Sequence, residues 1–236
     1  MHFIDSNTPT ERRNSGFTLV EMLVVIAIMS VLVTAGAIGL GSIGGKGVSS
    51  GVASAESLFD EARAIAVGQR VKSRVLVAKS MTNNPADNLR KIVVVSEKLN
   101  TDGTIATPQS WVLSSRGVVL PDQTFFSQDL SKKNHETSSG SIEEMPSLTG
   151  AKAAFAGSYF YYEFNSEGIC TTPGASFIIG NGSRNLNNTS AKPKVTAAGK
   201  RDFGGFVIWR NGRTSLFRSP DQMGSGISSM APGKEF

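Results

Sequence analysis

The apolar residues of this chain are concentrated in one long run near its N-terminus. From Phe17 to Leu40 almost every residue is apolar, and the exceptions are Glu21 and a few small polar residues. An α-helix rises about 1.5 Å per residue, so a helix over this run is long enough to cross a hydrocarbon core of roughly 30 Å. We therefore predict a transmembrane helix over residues 17–40.

The flanks of this run predict its orientation. The segment before it is short and polar, and Arg12 and Arg13 stand close to the apolar edge. Positively charged residues tend to remain on the cytoplasmic side of a membrane. The N-terminus is therefore expected in the cytoplasm, and everything after Leu40 is expected on the far side.

A second helix is predicted after the run. Glycines accumulate from Gly36 to Gly51. Because glycine costs up to about 1 kcal/mol per helical residue relative to alanine, this stretch is expected to be weak and able to bend or melt when subunits pack. Farther along, helical spacing predicts an amphipathic helix that ends near Gly68 and lies on a sheet. Its predicted core stripe is Ala55, Leu58, Phe59, Ala62, Ile65 and Ala66.

From Arg70 onward the pattern changes to that of strands. β-Branched and aromatic runs such as RVLVA, KIVVVSE, YFYYEF and ASFIIG are separated by turn residues. Two or three short strands are predicted around Gly117 and Pro121, and Asn211-Gly212 predicts a type I′ hairpin. The polar stretches 127–152 and 181–202 are predicted as long exposed loops. Successive strands after one helix favour an α+β fold with an antiparallel sheet.

Composition and charge narrow the function classes. The 236 residues carry a formal net charge of +5, and Lys and Arg are scattered rather than gathered in a stripe with aromatic residues. Nucleic-acid binding is therefore not predicted. Cys170 is the single cysteine of the sequence. It has no partner for a disulfide within the chain, and we interpret it as a small apolar packing residue.

Residue types that carry catalytic chemistry are sparse. Beyond the first sixteen residues the one histidine is His135, whereas a nucleophile relay or a zinc site needs more. Glu143 and Glu144 are interpreted as solvated surface. We predict no enzyme activity, no catalytic residue, no cofactor and no metal site. The G-x-G-x-x-G match over residues 39–44 is rejected as a dinucleotide site, because it follows an apolar helix rather than a strand.

The junction Gly16-Phe17-Thr18-Leu19-Val20-Glu21 carries a specific resemblance. Glycine, phenylalanine and then glutamate four residues later follow a short basic leader and precede a long apolar helix. This junction closely resembles the class III leader of type IV pilins and type II secretion pseudopilins. The resemblance implies that a prepilin peptidase cuts between Gly16 and Phe17 and methylates the new terminus at Phe17. It also implies an assembly role for Glu21.

If the chain is cut after Gly16, the new N-terminus is an expected partner for Glu21. Cleavage creates an α-ammonium group on Phe17, and burying either charge alone in lipid is costly, at about 2.5–3.5 kcal/mol for an acidic residue at a helix centre. When helices pack into a filament, the carboxylate of one subunit is expected to neutralise the α-ammonium of a neighbour and to fix their axial register. The alternative is that Glu21 snorkels to the lipid headgroups.

The rest of the chain is loosely similar to the H-type minor pseudopilins, in the strand order from Trp111 to Pro121 and in the closing hairpin. The apolar helix lacks the proline that many major pilins carry, which also favours a minor or pseudopilin role. We therefore expect a pilin-like α+β fold in four segments. These are a leader (1–16), a transmembrane and filament-core helix (17–40), a glycine-rich segment with an amphipathic helix (41–69) and an exported β-rich domain (70–236).

The resemblance also implies partners and a location. The partners are other pilin or pseudopilin subunits, the prepilin peptidase, an inner-membrane assembly platform and the lipid bilayer. The protein is expected in the bacterial inner membrane with its C-terminal domain in the periplasm, and then in a filament. Two alternatives remain open. One is a monomeric membrane-anchored binding module, and the other is a secreted soluble protein cut after Ala35. The junction is shared by type II secretion and type IV pilus systems and does not separate them.

Overall fold

The structure is a computed structural model. It describes residues 19–41, 43–148, 152–185, 191–197, 202–224 and 231–235. The chain divides into two compact units, Met1–Gly41 and Ser42–Phe236. In the first unit the described residues form a single helix, α1 (Leu19–Gly41).

The second unit begins with one long helix and continues with short strands. The helix is α2 (Ile43–Gln69). Single-turn 3₁₀ helices lie at Pro85–Asp87, Ala153–Phe155 and Pro220–Met223. The strands are β1 (Ser73–Met81), β2 (Lys91–Glu97), β3 (Trp111–Leu113), β4 (Val118–Val119), β5 (Thr124–Phe126), β6 (Lys132–Asn134), β7 (Ser139–Ser141), β8 (Glu143–Met145), β9 (Gly157–Phe164), β10 (Ala175–Ser183), β11 (Lys194–Val195), β12 (Phe203–Ile208) and β13 (Thr214–Leu216).

These strands form two main sheets with antiparallel pairing. The first sheet has the order β3-β2-β1-β9-β8, and β4 also pairs with β2. The second sheet has the order β11-β10-β12-β13, and β5 also pairs with β10. Strands β6 and β7 form a separate small hairpin. The predicted α+β class, a long N-terminal helical region followed by antiparallel sheet, is confirmed, as are the three short strands around Gly117 and Pro121.

One face of α2 packs on both sheets and forms the main core. The predicted stripe is buried there, with Ile65 partly buried at its margin. Phe59 is fully buried at the centre, where its ring meets Tyr162 and Phe164 of the first sheet and Phe177 and Phe206 of the second edge-on, at centroid distances of 5.0 to 6.3 Å. Edge-to-face contacts of this kind add about 0.5–1.5 kcal/mol each to area burial. One side chain therefore joins the two sheets.

The described residues of the glycine-rich segment lie in α1 and α2, and bending or melting on subunit packing stays a prediction. In α2 its glycines also have a packing role. A Cβ atom on Gly51 would lie 2.9 Å from Cδ1 of Ile179, and one on Gly47 would lie 3.3 Å from Oγ1 of Thr124. These glycines therefore let the start of α2 approach the second sheet closely.

The end of α2 differs from the prediction by one residue. The helix ends at Gln69, and the residue with the left-handed backbone that commonly terminates a helix is Arg70, with φ of +55°, rather than Gly68. The N–H of Val71 donates to the carbonyl of Ala66 at 3.2 Å, which is the long hydrogen bond of a Schellman motif. An exposed arginine thus occupies a position that usually favours glycine.

The predicted hairpin between β12 and β13 is present, but the type I′ turn was wrong. A type I′ turn needs positive φ at both central residues, whereas here Gly212 has φ of +73° and Asn211 is not in that region. Gly212 N–H donates to the carbonyl of Trp209 at 2.9 Å, and Trp209 N–H donates to the carbonyl of Arg213 at 2.8 Å. The loop is a turn closed by a glycine bulge.

The two polar stretches are more ordered than exposed loops. The stretch 127–152 contains β6, β7 and β8, and β8 forms the edge of the first sheet. Its apolar residues Leu130, Ile142, Met145 and Leu148 are buried. The stretch 181–202 begins inside β10, where Asn181 is only 6% exposed, and it includes β11. Sparse apolar residues, placed singly, are enough to hold these short strands.

Replacing Arg70 with glycine should stabilise the fold. A left-handed backbone costs a non-glycine residue about 1–2 kcal/mol, and the greater freedom of glycine in the unfolded chain offsets part of that gain. We expect Arg70→Gly to raise the free energy of unfolding by about 0.5–1 kcal/mol. Urea titration of the full chain in detergent micelles, followed by tryptophan fluorescence, measures the change. Arg70→Ala is the control, because it removes the same side chain and keeps the strain; an equal gain there would refute the explanation.

Candidate functional site

The described surface of α1 is apolar on every side. Residues 19 to 30 are all exposed, and Leu19 is 84% exposed. Successive residues are rotated by about 100°, so the apolar positions cover the whole circumference and leave no polar face. The large apolar side chains on this surface are Leu19, Val20, Met22, Leu23, Val24, Val25, Ile26, Ile28 and Met29. Such a helix needs an apolar environment outside its own fold.

Two polar residues interrupt this surface, and each has a defined place. Glu21 is exposed in the first turn of α1, where the unpaired N–H groups of a helix favour a negative charge. The hydroxyl of Ser30 donates to the carbonyl of Ile26, one turn earlier, at 2.8 Å. This bond satisfies the hydroxyl within the helix and lowers the cost of placing it among apolar groups.

The predicted processing residues lie outside the part of the chain that the structure describes. Gly16 and Phe17 precede α1, so the cleavage site, the methylated terminus and the pairing of Glu21 with Phe17 stay predictions. Within the described residues, no helix is both long enough and apolar enough to cross a membrane. The assignment of residues 17–40 to a membrane also stays a prediction.

The two neighbouring carboxylates of β8 both form ion pairs. Lys133 Nζ lies 2.7 Å from Glu143, and Lys79 Nζ lies 2.5 Å from Glu144. Glu143 also accepts a hydrogen bond from the Tyr161 hydroxyl. The bond from Lys133, followed by that from Tyr161, lowers the pKa of Glu143. Both carboxylates are therefore surface groups with partners, and the lowered pKa of Glu143 is the opposite of the raised pKa that a general acid needs.

His135 has a structural role in the small hairpin region. Its Nε2 atom lies 2.8 Å from the carbonyl oxygen of Gln222, and its ring centroid is 4.7 Å from that of Phe217. It thus joins the β6–β7 hairpin to the C-terminal segment. Among the described residues, no three His, Cys, Asp or Glu side chains are placed to hold a metal ion. The glycines of the G-x-G-x-x-G match lie in α1 and α2, away from any βαβ unit.

Cys170 is a core residue. It is 2% exposed in the main apolar cluster, and its thiol lies 3.4 Å from the carbonyl of Thr172. Burial raises the pKa of Cys170 to about 11, because the thiolate would lose its hydration. The packing interpretation from the sequence is in agreement with this position.

Sequence analysis missed the charged network on the outer face of the first sheet. The Arg74 guanidinium lies 4.1 Å from the ring centroids of both Trp111 and Tyr161, and it pairs with Glu163 at 2.6 Å. Arg74 and Glu163 are directly opposite in the β1–β9 register, whereas Trp111 comes from β3, beyond β2. Since the strand order brings these residues together, no local pattern in the sequence indicates the network.

Comparison with known proteins gives one family match. The model of the prokaryotic N-terminal methylation motif matches residues 12–37. These residues include Gly16, Phe17 and Glu21. The chain therefore carries a prokaryotic N-terminal methylation motif, and the match supports the resemblance that the junction indicates.

The rest of the chain lies outside the matched motif. A search of curated proteins gave no match. Among solved structures, the chain is similar to the crystal structure of the type IV minor pilin FimU of Pseudomonas aeruginosa. The two are 14% identical, the alignment covers 73% of this chain and 94% of that one, and the TM-score is 0.32.

Burial should make the Cys170 thiol unreactive in the folded state. With a pKa of about 11 only a trace of thiolate exists at pH 8. We expect alkylation by iodoacetamide at pH 8 to be at least about a hundredfold slower in the native chain than in urea. Ser57→Cys supplies an exposed control thiol on α2, which should react rapidly in both states. Fast native labelling of Cys170, mapped by mass spectrometry, would contradict the packed core.

Proposed function

We propose that this protein is a structural subunit of a pilin-like filament, with a minor pseudopilin-like role in a type II secretion pseudopilus or a type IV pilus-like fibre. The observation that carries the proposal is the α1 surface, apolar around its whole described circumference and headed by Glu21. The methylation motif over residues 12–37 supports it.

Under this proposal the apolar surface of α1 lies first in lipid and later among neighbouring helices. An exposed apolar helix is stable in lipid or among other apolar helices, and it is unfavourable in water. Before assembly, residues 17–40 lie in the inner membrane with the N-terminus in the cytoplasm. During assembly the same surface transfers from lipid to neighbouring helices, which costs little because both surroundings are apolar.

Glu21 and the Phe17 terminus supply specificity that apolar packing lacks. Lipid tails and leucine side chains are equally apolar, so packing alone fixes the axial position of a helix poorly. A buried carboxylate without a counter-charge is unfavourable, and an α-ammonium from the adjacent helix neutralises it. Prepilin peptidase creates this amine by cutting after Gly16, so filament entry depends on processing.

The second unit is suited to a periplasmic role on this proposal. Its two sheets and α2 share one continuous core, and the unit has its own compact set of contacts. It is stable without a disulfide because of the size of this core. Its partners are other pilin or pseudopilin subunits and the inner-membrane assembly platform. We propose no enzymatic function for it.

The mature N-terminus is the most direct test. We expect mass spectrometry of the native protein to show a chain that begins at Phe17 and carries one added methyl group. Gly16→Leu should keep the first sixteen residues, because it alters the residue before the cut. A chain that starts at Gly36 would favour the secreted protein cut after Ala35. An uncut, unmethylated Phe17 would refute processing of the pilin type.

Neutralising Glu21 should leave membrane insertion unchanged and impair assembly. Glu21→Gln has nearly the same size and removes the charge, so membrane extraction should be unchanged while incorporation into filaments falls by at least about tenfold. Glu21→Asp is the matched control and should retain more incorporation than the neutral variant. Cross-linking of the chain to other pilin-like subunits measures incorporation. Normal cross-linking of Glu21→Gln would refute the pairing, and no cross-linking of the wild-type chain would favour a monomeric binding module.

A further inference from the structure

A groove beside the end of β10 is lined by positively charged residues. It has a volume of about 480 Å³, and its described lining residues are Ser183, Arg184, Asn185, Ala191, Lys192 and Lys194; we call these six residues the basic groove. Three of them carry a positive charge and none carries a negative one. Lys192 and Lys194 are exposed, and Arg184 is half-buried. The chemistry of this lining suits an anion.

The Arg184 side chain is held in place before any anion arrives. Its Nη1 atom donates to the carbonyl of Asn88 at 2.8 Å, and its Nη2 atom donates to the carbonyl of Ala86 at 2.7 Å. A guanidinium carries five N–H groups, so these two bonds leave donors for a ligand. Burial and the nearby Arg90 lower the pKa of Arg184, because both disfavour its positive charge. An anion in the groove would offset that cost.

The positive charges of the groove are not balanced within the described part of the chain. None of the ion pairs found there involves Arg184, Lys192 or Lys194. Glu235 lies opposite Lys194 in an isolated bridge, but it takes part in none of these ion pairs and does not line the groove. The three cations are therefore available to an anion from outside the chain.

The basic groove lies at the same end of the second unit as the start of α2, because β10 runs toward that end. A Cβ atom on Gly51 would lie 2.9 Å from Cδ1 of Ile179 in β10. Two residues farther along β10, Asn181 pairs with Thr124, whose Oγ1 would lie 3.3 Å from a Cβ atom on Gly47. Two strand residues and one helical turn cover similar distances, so β10 ends about level with the first turn of α2.

The covalent chain keeps the start of α2 close to the end of α1. Only Ser42 separates Gly41, the last residue of α1, from Ile43, the first residue of α2. Two residues of chain span at most about 7 Å. Under the proposed function α1 lies in the inner membrane, so the chain enters α2 where it leaves the bilayer. The groove, level with the start of α2, then lies close to the lipid headgroups.

We infer that the basic groove binds the phosphate groups of anionic phospholipids in the leaflet from which α1 emerges. Arg184 donates N–H groups to the phosphate oxygens, and Lys192 and Lys194 contribute two further positive charges. Each cation near an anionic bilayer adds to the attraction toward its surface. The inference rests on the proposed function, because it needs α1 in the membrane. It adds a second attachment to the bilayer before the subunit enters a filament.

Lysine acetylation of the full chain in lipid nanodiscs tests this contact. Each nanodisc holds one chain and consists either of phosphatidylcholine alone or of phosphatidylcholine mixed with anionic phosphatidylglycerol. Mass spectrometry measures the acetylation rate of each lysine. We expect the anionic lipid to slow acetylation of Lys192 and Lys194 at least about fivefold relative to phosphatidylcholine alone.

Lys98 is the matched control in the same experiment. It is exposed and follows Glu97, whose N–H donates to the carbonyl of Lys72 just beyond the end of α2. Helix α2 has 27 residues and is therefore about 40 Å long. Because Lys98 lies near the far end of α2, several Debye lengths from the groove, its acetylation should change less than about twofold. Equal slowing of Lys98 would overturn a contact confined to the groove.

Charge variants of one groove lysine report through the other. Lys192→Glu should reduce the protection of Lys194 by anionic lipid at least about threefold, whereas Lys192→Arg keeps the charge and should retain that protection. Lys98→Glu makes the same charge change at the far end and should leave the protection of Lys194 unaltered. All three substitutions are at exposed positions, so the fold should be retained. Higher salt should weaken the protection.

Inorganic phosphate distinguishes a lipid headgroup from a soluble anion. It is added to the phosphatidylcholine nanodiscs at the total phosphate concentration of the anionic lipid. We expect no slowing of Lys192 or Lys194 acetylation, because a free ion lacks the high local concentration of a bilayer surface. Protection equal to that given by the anionic lipid would overturn the membrane contact and indicate a site for soluble phosphate.

The outcomes separate this inference from the filament function. A chain that enters the nanodiscs, but whose Lys192 and Lys194 are acetylated equally in both lipids, overturns the lipid contact and leaves the proposed function intact. A chain that does not enter them overturns both proposals, because α1 is then not a membrane helix. Protection by anionic lipid that is lost with Lys192→Glu and kept with Lys192→Arg supports the contact.

Discussion

An apolar helix surface has to be covered, and this constraint dominates the first unit of the protein. The described side chains of α1 are apolar in every direction, so no arrangement of this helix in water is favourable. Lipid and a bundle of similar helices both provide the apolar surroundings that this surface needs. Under the proposed function, Glu21 limits the choice among bundle arrangements, because its charge requires a counter-charge at one height only. Non-directional burial would then supply the driving force, and one carboxylate would supply the register.

In the second unit, two small sheets are held together without a disulfide. Phe59 on α2 contacts rings from both sheets, and the glycines at the start of α2 let the helix approach the second sheet closely. The helix is therefore the common element of the core.

The sequence alone determined the elements with a strong local pattern. The α1 helix, the α2 stripe and the β-branched strands were all predicted, because spacing and residue type express burial directly. Short strands inside the polar stretches were missed, because a few isolated apolar residues give no period. The turn at Asn211-Gly212 was assigned to the wrong type, because its geometry depends on the bulge that the flanking strands adopt.

Only the tertiary structure decided which distant residues meet. Arg74, Trp111 and Glu163 come from different strands, and their stack exists because the sheet order places β1 between β2 and β9. Likewise, the Trp209 indole meets the Ser215 hydroxyl because β12 pairs with β13. A one-dimensional pattern reports whether a side chain is buried. It does not report its neighbours, since strand order and chain path are set by the whole core.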